Sequence, residues 1–306
     1  MIIALSGGIG GAKLALGLSR ILPPEELLII ANTGDDFEHY GLTICPDTDT
    51  LLYTLAGLDN PKLGWGREDE SWAFMETLAA LGGADWFRLG DRDLALHVLR
   101  SHRLAAGETL STITDDVRQR FGIGPRILPM SDDPVRTKIG TDQGWLDFQD
   151  WFVRLRAEPM ARAVKFAGAE QARPQRVLLE ALRAQPRGIV ICPSNPFISI
   201  EPILAVPGLR EAIKASGAPV VAVSPIIAGQ AVKGPTAGMF AALGVPPSAA
   251  AVAARYGDLL HGFVMEHGDD DAGITPRVFH AATLMRDLAD KTALARLVLA
   301  AIEALR

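Results

Sequence analysis

The residues best equipped for chemistry in this chain are acidic pairs that follow a glycine-rich loop. The loop reads Ser6-Gly-Gly-Ile-Gly-Gly-Ala12 and runs straight into Lys13. Four glycines in five positions let a backbone approach a ligand in conformations that a side chain would forbid. Between a buried strand and a helix, Gly7, Gly8, Gly10, Gly11 and Lys13 then form an anion cradle. The first helical N–H groups point at the ligand, and the helix dipole favours negative charge. Asn32-Thr-Gly-Asp-Asp36 sets Asp35 beside Asp36 on a glycine turn, an all-oxygen pair suited to magnesium. Pro46-Asp-Thr-Asp49 adds two more carboxylates at i and i+2. There Asp47 or Thr48 would serve as a plain helix cap, while Asp49 would hold a substrate hydroxyl, accept its proton or ligate a metal.

Further polar stretches add cations and fixed hydrogen-bonding groups. Phe87-Arg-Leu-Gly-Asp-Arg-Asp93 places Arg88 and Arg92 beside Asp91 and Asp93. A planar guanidinium suits phosphate, and an internal salt-bridge network fits those residues equally well. His97, on the helical pattern that follows, reads as structural. Ser131-Asp-Asp-Pro-Val-Arg-Thr137 repeats the theme, with Arg136 near two acids. Pro193-Ser-Asn-Pro196 is a stiff loop presenting Ser194 and Asn195, and the run from Ser224 to Thr236 carries Lys233 as an anion contact. A P-loop needs Gly, Lys and then Ser or Thr, and Ala12-Lys13-Leu14 stands there instead. A dinucleotide fingerprint fails at Lys13, and Asn32 occupies the place of its ribose-binding acid. The chain has no Gly-x-Ser-x-Gly elbow, no telling Cys/His spacing and no zinc-like cluster. Carboxylates, arginines, a lysine and an amide cradle suit metal-assisted transfer at phosphorus, in which a hydroxyl attacks and a carboxylate takes its proton.

These residues need a scaffold that gathers them. Apolar runs without polar alternation recur at residues 1–5, Leu27–Ala31, 188–192 and Val220–Val223, with shorter ones at 127–128 and 263–265. Such strands are buried on both faces, as in a parallel sheet covered by helices. The expected fold is α/β, a doubly wound, mostly parallel Rossmann-like sheet, with ligands at the carboxyl ends of its strands. Residues 50–120 read as a mainly helical insertion, with helices near 71–81 and 91–101. A strand at 145–148, helices near 151–156 and 174–184, and a C-terminal helix over 287–306 complete the pattern. No linker or repeat divides the chain, so residues 1–306 read as one domain.

Composition narrows the class. With 48% apolar and 22% charged residues the chain reads as globular. A net charge of −6 argues against a nucleic-acid partner. Two cysteines offer no disulfide framework, which predicts a reducing, cytoplasmic home. The start carries no charged n-region and no apolar run is long enough for a membrane span, so neither a signal peptide nor a membrane partner is expected.

Taken in order, the loop 6–14, the stretches 32–36, 46–49, 88–93, 131–137 and 193–196, and the run 224–236 resemble the 2-phospho-L-lactate transferase family of coenzyme F420 biosynthesis. Family members usually carry Thr where this chain has Ile9. The resemblance implies a magnesium-dependent transferase acting on the deazaflavin Fo. Its donor would be a guanosine diphosphate ester of lactate, enolpyruvate or glycerate. The ribityl hydroxyl of Fo would attack the phosphorus bearing the acid and release GMP. By position, Asp49 and Arg88 match Fo contacts. Asp35, Asp36 and Asp47 are candidates for the metal or the attacking hydroxyl, so Asp36, Asp47 and Asp49 form the catalytic set. The loop glycines, Lys13, Asn32, Thr33, Asp91, Arg136, Ser194, Asn195 and Lys233 would face substrate. A homodimer is the expected assembly. The competing expectation is a regulator of the gluconeogenesis-factor type that binds a nucleotide sugar without catalysis; a nicotinamide oxidoreductase is third.

Overall fold

Seven parallel strands form the central sheet of the computed structural model, which describes residues 1–61, 63–231 and 236–306. In chain order they are β1 (Ile2–Ser6), β2 (Leu27–Ala31), β3 (Arg126–Pro129), β4 (Gly188–Ile191), β5 (Val220–Val223), β6 (Gly262–Glu266) and β7 (Arg277–Ala281). Across the sheet they run β7-β6-β5-β4-β1-β2-β3, and every neighbouring pair is parallel. The order reverses between β1 and β4, which opens a crevice beyond their carboxyl ends.

The apolar runs explain the layering. Ile3, Leu5, Leu28, Ile30, Ile189, Ile191, Val220, Ala222, Phe263 and Met265 enter one core; Ile2, Ala4, Leu27, Ile29, Val190, Val221 and Val264 enter the other. Consecutive side chains point to opposite faces, so a run that is apolar at every position supplies both layers. The first core takes Leu178 and Leu182 from the helix Arg176–Arg183 and Leu209 and Ile213 from the helix Leu209–Ala215. The second takes Leu14 and Leu18 from α1 (Gly8–Ser19), Leu51 and Leu52 from α2 (Pro46–Ala56), and Leu294 and Val298 from the helix Leu288–Glu303.

Between β2 and β3 lie α2, α3 (Ala73–Ala80), α4 (Asp91–Ala105) and α5 (Leu110–Arg120). This stretch also holds a hairpin that its composition does not announce, Phe37–His39 against Leu42–Ile44. Three more differences from the expected elements stand out. Arg136–Thr141 is the middle strand of a three-stranded antiparallel sheet, flanked by Gly144–Asp147 and Ala161–Ala167. The outer strand Gly144–Asp147 meets the expected strand at 145–148, whereas Arg136–Thr141 and Ala161–Ala167 carry too little apolar periodicity to be recognised. The helix expected near 151–156 is a single wide turn, Asp150–Arg154, and β7 was not foreseen because its burial is partial.

Gly17 marks a close crossing of α1 and the helix Leu288–Glu303. A Cβ there would run into the Lys291 carbonyl oxygen and come within 3.2 Å of the Ala295 Cβ. Backbone cannot yield as a side-chain tip does, so Gly17→Ala should destabilise the protein by about 1–3 kcal/mol. A thermal melt checks this: a lower midpoint is expected, and an unchanged one would mean that the C-terminal helix is free to slide away.

Candidate active site

The glycine loop leaves β1 at Ser6 and becomes α1 at Gly8, whose φ of +62° places it in the left-handed region. Nothing lies within 4 Å of the position of a Cβ at Gly8. The other glycines answer to packing. A Cβ on Gly7 would lie 2.6 Å from both Asp47 Oδ2 and Ser199 Cβ, and one on Gly11 would lie 2.6 Å from Ser194 Oγ. One on Gly10 would strike the Pro193 carbonyl oxygen. The loop is therefore glycine-rich largely because the segment after β4 closes against it. Two of its amides are already used: Gly7 N–H donates to Ser194 Oγ (3.2 Å) and Gly8 N–H to Asp47 Oδ1 (2.7 Å). A carboxylate of the chain itself thus sits where the α1 dipole favours an anion.

Asp47 lies in the first turn of α2, behind Pro46, and its other oxygen accepts from Asn32 Nδ2 (2.8 Å). Asn32 follows β2, donates also to the Ile198 carbonyl (3.1 Å) and accepts from Gly34 N–H (2.9 Å). One amide side chain therefore ties together the segments after β2, β4 and the hairpin. Asp35 and Asp36 complete the cluster. Burial lifts Asp36 to about 7, against the pull of the Arg136 guanidinium, and lifts Asp47 to about 6, against its bonds from Asn32 and Gly8. Asp35 is pushed well above the ordinary carboxylate range by burial and then by the charges of Asp47 and Asp36. Each of Asp35 and Asp36 keeps one buried oxygen without a hydrogen-bond partner, as do Thr33 Oγ1, Thr48 Oγ1 and Asn195 Nδ2. Buried polar groups are normally satisfied, so these atoms are available to a polar ligand.

The donor set fits magnesium. Two adjacent carboxylates with unused oxygens, a third close by and hydroxyls around them are hard ligands, and mutual repulsion among the acids is what a divalent cation relieves. Asp35, Asp36 and Asp47 do not form a closed cage, however. Among the described residues, the metal-ligating atoms that all lie within 4.8 Å of one another belong to Asp49, Asp93 and His97. That second cluster already holds its own cation. Arg100 Nη1 donates to Asp49 Oδ2 (3.0 Å), and Nη2 contacts Asp49 Oδ1. Burial raises Asp49 above its usual value, with Arg100 and His97 pulling the other way. Asp49, expected to hold a substrate hydroxyl, accept its proton or ligate a metal, has both oxygens engaged by a guanidinium.

Other residues named from the sequence have partners within the chain. The Asp91 carboxylate accepts from Ser71 Oγ (2.6 Å), Ala73 N–H (3.1 Å) and Phe74 N–H (3.0 Å), capping α3. Arg88 is exposed and lies over the Trp72 ring at 4.2 Å. The acids near Arg136 in sequence serve elsewhere, Asp132 at Ser111 in α5 and Asp133 with Arg173, while Arg136 acts on Asp36. Lys13 Nζ donates to the Met285 carbonyl (2.8 Å). Asn195 Oδ1 caps the turn Pro196–Ile200 through Phe197 N–H. Lys233 lies outside the described residues. Arg100 was overlooked altogether. Its signal was the spacing Asp93, His97, Arg100 on one helical face, opposite Asp49 and Tyr53 at i and i+4.

Comparison with known proteins identifies the family. The family model "2-phospho-L-lactate transferase CofD" matches residues 2–281. A phosphoenolpyruvate transferase of Kitasatospora aureofaciens is 44% identical, covering 100% of this chain and 98% of its own. Its namesake in Streptomyces coelicolor is 45% identical over 93% and 90%, and that of Mycolicibacterium smegmatis 38% over 88% of both. Among solved structures, protein BH3568 of Bacillus halodurans superposes with a TM-score of 0.69 at 15% identity, covering 97% of this chain and 98% of that one, and shares the fold. No helix among the described residues is long and apolar enough to cross a membrane. The chain belongs to the 2-phospho-L-lactate transferase CofD family, and it is a transferase of that type.

Proposed function

We propose that the protein transfers a phosphoenolpyruvyl group from a guanosine diphosphate ester to the terminal ribityl hydroxyl of Fo and releases GMP. The family supports transfer of a phospho-three-carbon acid, and the relatives' shared name favours enolpyruvate over lactate or glycerate. The carrying observation is the buried acidic cluster at the crevice between β1 and β4, with unpartnered oxygens on Asp35 and Asp36.

The hydroxyl oxygen forms a bond to the phosphorus bearing the acid, the bond from that phosphorus to the GMP oxygen breaks, and the hydroxyl proton passes to a carboxylate. Asp36 is our candidate for that last role, through a carboxylate oxygen that magnesium leaves free. Asp47, hydrogen-bonded on both oxygens, holds the loop. The amides of Ile9 and Gly10, in the first turn of α1 where N–H groups lack an i−4 acceptor, offer contacts to the diphosphate. Magnesium, held by Asp35 and Asp36 near Asp47, would neutralise the charge that accumulates at phosphorus.

Incubation with Fo, magnesium and the enolpyruvyl ester should yield GMP in step with the phosphodiester product, and none without Fo. Binding of the ester without turnover would instead favour a nucleotide-sensing regulator. Asp36→Asn should lower kcat by about 10²–10⁴-fold with the melting midpoint retained; turnover within threefold of wild type would remove Asp36 from this role. Magnesium must compete with protons on Asp36, at about 7, and Asp47, at about 6. Both pKa values are raised, so the metal-free protein is partly protonated below neutrality. The apparent magnesium affinity should therefore climb as pH rises from about 6 to about 8 and then level off. Calorimetry in two buffers of different ionisation heat reads the released protons, and a pH-independent affinity would place the metal elsewhere.

A further inference from the structure

Asp36 and Asp47 bound an excursion of the chain through the hairpin Phe37–His39/Leu42–Ile44, so their relative placement depends on what fixes the excursion's far end. One side chain does so. Arg100, 2% exposed, enters from α4 and its guanidinium has acceptors on three segments. It contacts both oxygens of Asp49 in the first turn of α2. It reaches the Thr43 carbonyl of the hairpin (3.3 Å) and His97 Nδ1 on its own helix (3.3 Å). A second row of groups stands behind it. His97 Nε2 lies 3.3 Å from Asp93 Oδ2, and Tyr53 of α2 donates to Asp93 Oδ1 (2.5 Å). The His97 ring thus stands between Arg100 at Nδ1 and Asp93 at Nε2. The ends of α4 and α2 are thus joined twice, by Asp49–Arg100 and by Tyr53–Asp93. Ser101 Oγ, accepting from Thr43 N–H (2.7 Å), holds the same hairpin strand.

We propose that Arg100 is a positioning residue for the transfer reaction: its guanidinium, spanning Asp49, the Thr43 carbonyl and His97, fixes the 37–49 segment so that Asp36 and Asp47 meet substrate in register. The fork is required as well as the charge. A lysine ammonium at this place is a point charge that cannot follow both carboxylate oxygens and the carbonyl at once.

This inference rests on the transferase reading above, and its test keeps the two apart. Arg100→Gln and Arg100→Lys are compared with wild type and with Gly17→Ala, which loses stability far from the acids. Turnover with Fo, magnesium and the enolpyruvyl ester should fall by about tenfold or more in Arg100→Gln while each KM stays within about threefold. Arg100→Lys should recover part of the loss, and Gly17→Ala should keep wild-type kcat per folded molecule. Independently of any substrate, amide hydrogen exchange should quicken in residues 37–49 of both Arg100 variants and stay slow in β1 and β4. If wild type shows no turnover, the functional reading fails and exchange still decides the role of Arg100. Unchanged exchange at 37–49, a kcat for Arg100→Gln within twofold of wild type, or an equal loss in Gly17→Ala would overturn the proposal. If Arg100→Gln does not fold, Arg100→Lys carries the same comparison alone.

Discussion

Like charges held together out of water are the constraint on which this molecule turns. Two carboxylates about 4 Å apart in surroundings of intermediate dielectric repel by about 4 kcal/mol, and burial adds a further penalty for ionisation. Asp35, Asp36, Asp47 and Asp49 are all buried. The chain answers this load unevenly. Asp49 is matched by Arg100, and Asp47 is stabilised by an amide, a side-chain carboxamide and the start of a helix. Asp36 has Arg136, the Cys45 thiol and the more distant Arg100, and Asp35 is eased by neighbouring hydrogen-bonding groups rather than by a cation. The uncompensated remainder is what makes the crevice attractive to a cation and to the proton of an attacking hydroxyl.

The sheet order makes such a concentration possible. Connections leave β1 and β4 towards opposite faces, so the crevice between them is bordered by loops rather than by covering helices. The segments after β1, β2 and β4 meet there, and they interlock through small or polar groups: Gly7 against Asp47 and Ser199, Gly11 against Ser194, and Asn32 reaching Ile198. A methyl group at either of those glycines would collide with the loop that faces it. The glycine signature thus records protein-on-protein closeness at three positions and an open, left-handed turn at one, Gly8.

That division explains what was legible in the sequence. Strands buried on both faces announce themselves, because every residue must be apolar, and β1, β2, β4 and β5 could be read almost to the residue. The acids of the 32–36 and 46–49 stretches were legible as a candidate site because carboxylates cluster where strands finish. Elements whose stability comes from context were not. The hairpin at 37–44 is short and half polar, and the strands at Arg136–Thr141 and Ala161–Ala167 owe their existence to pairing across a long sequence separation. Roles misled for a related reason: Asp91 and Asp132 look like ligand-binding acids in one dimension, yet both serve helix N-termini that only the folded chain brings near.

Arg100 shows the limit most clearly. A buried ion pair contributes little to net stability once desolvation is counted, whereas removing one partner alone is costly. Stability is therefore a poor reason for placing an arginine beneath Asp49, and a hydrophobic pair would have filled the space. What a hydrophobic pair cannot do is fix direction: the guanidinium plane determines where both Asp49 oxygens and the Thr43 carbonyl lie, and through them the start of α2 and the hairpin beyond Asp36. The crevice thus contrasts two modes of compensation, one permanent and directional at Asp49, the other left open at Asp35 and Asp36. A site that must admit and release charged reactants needs the first to be rigid so that the second can be exchangeable.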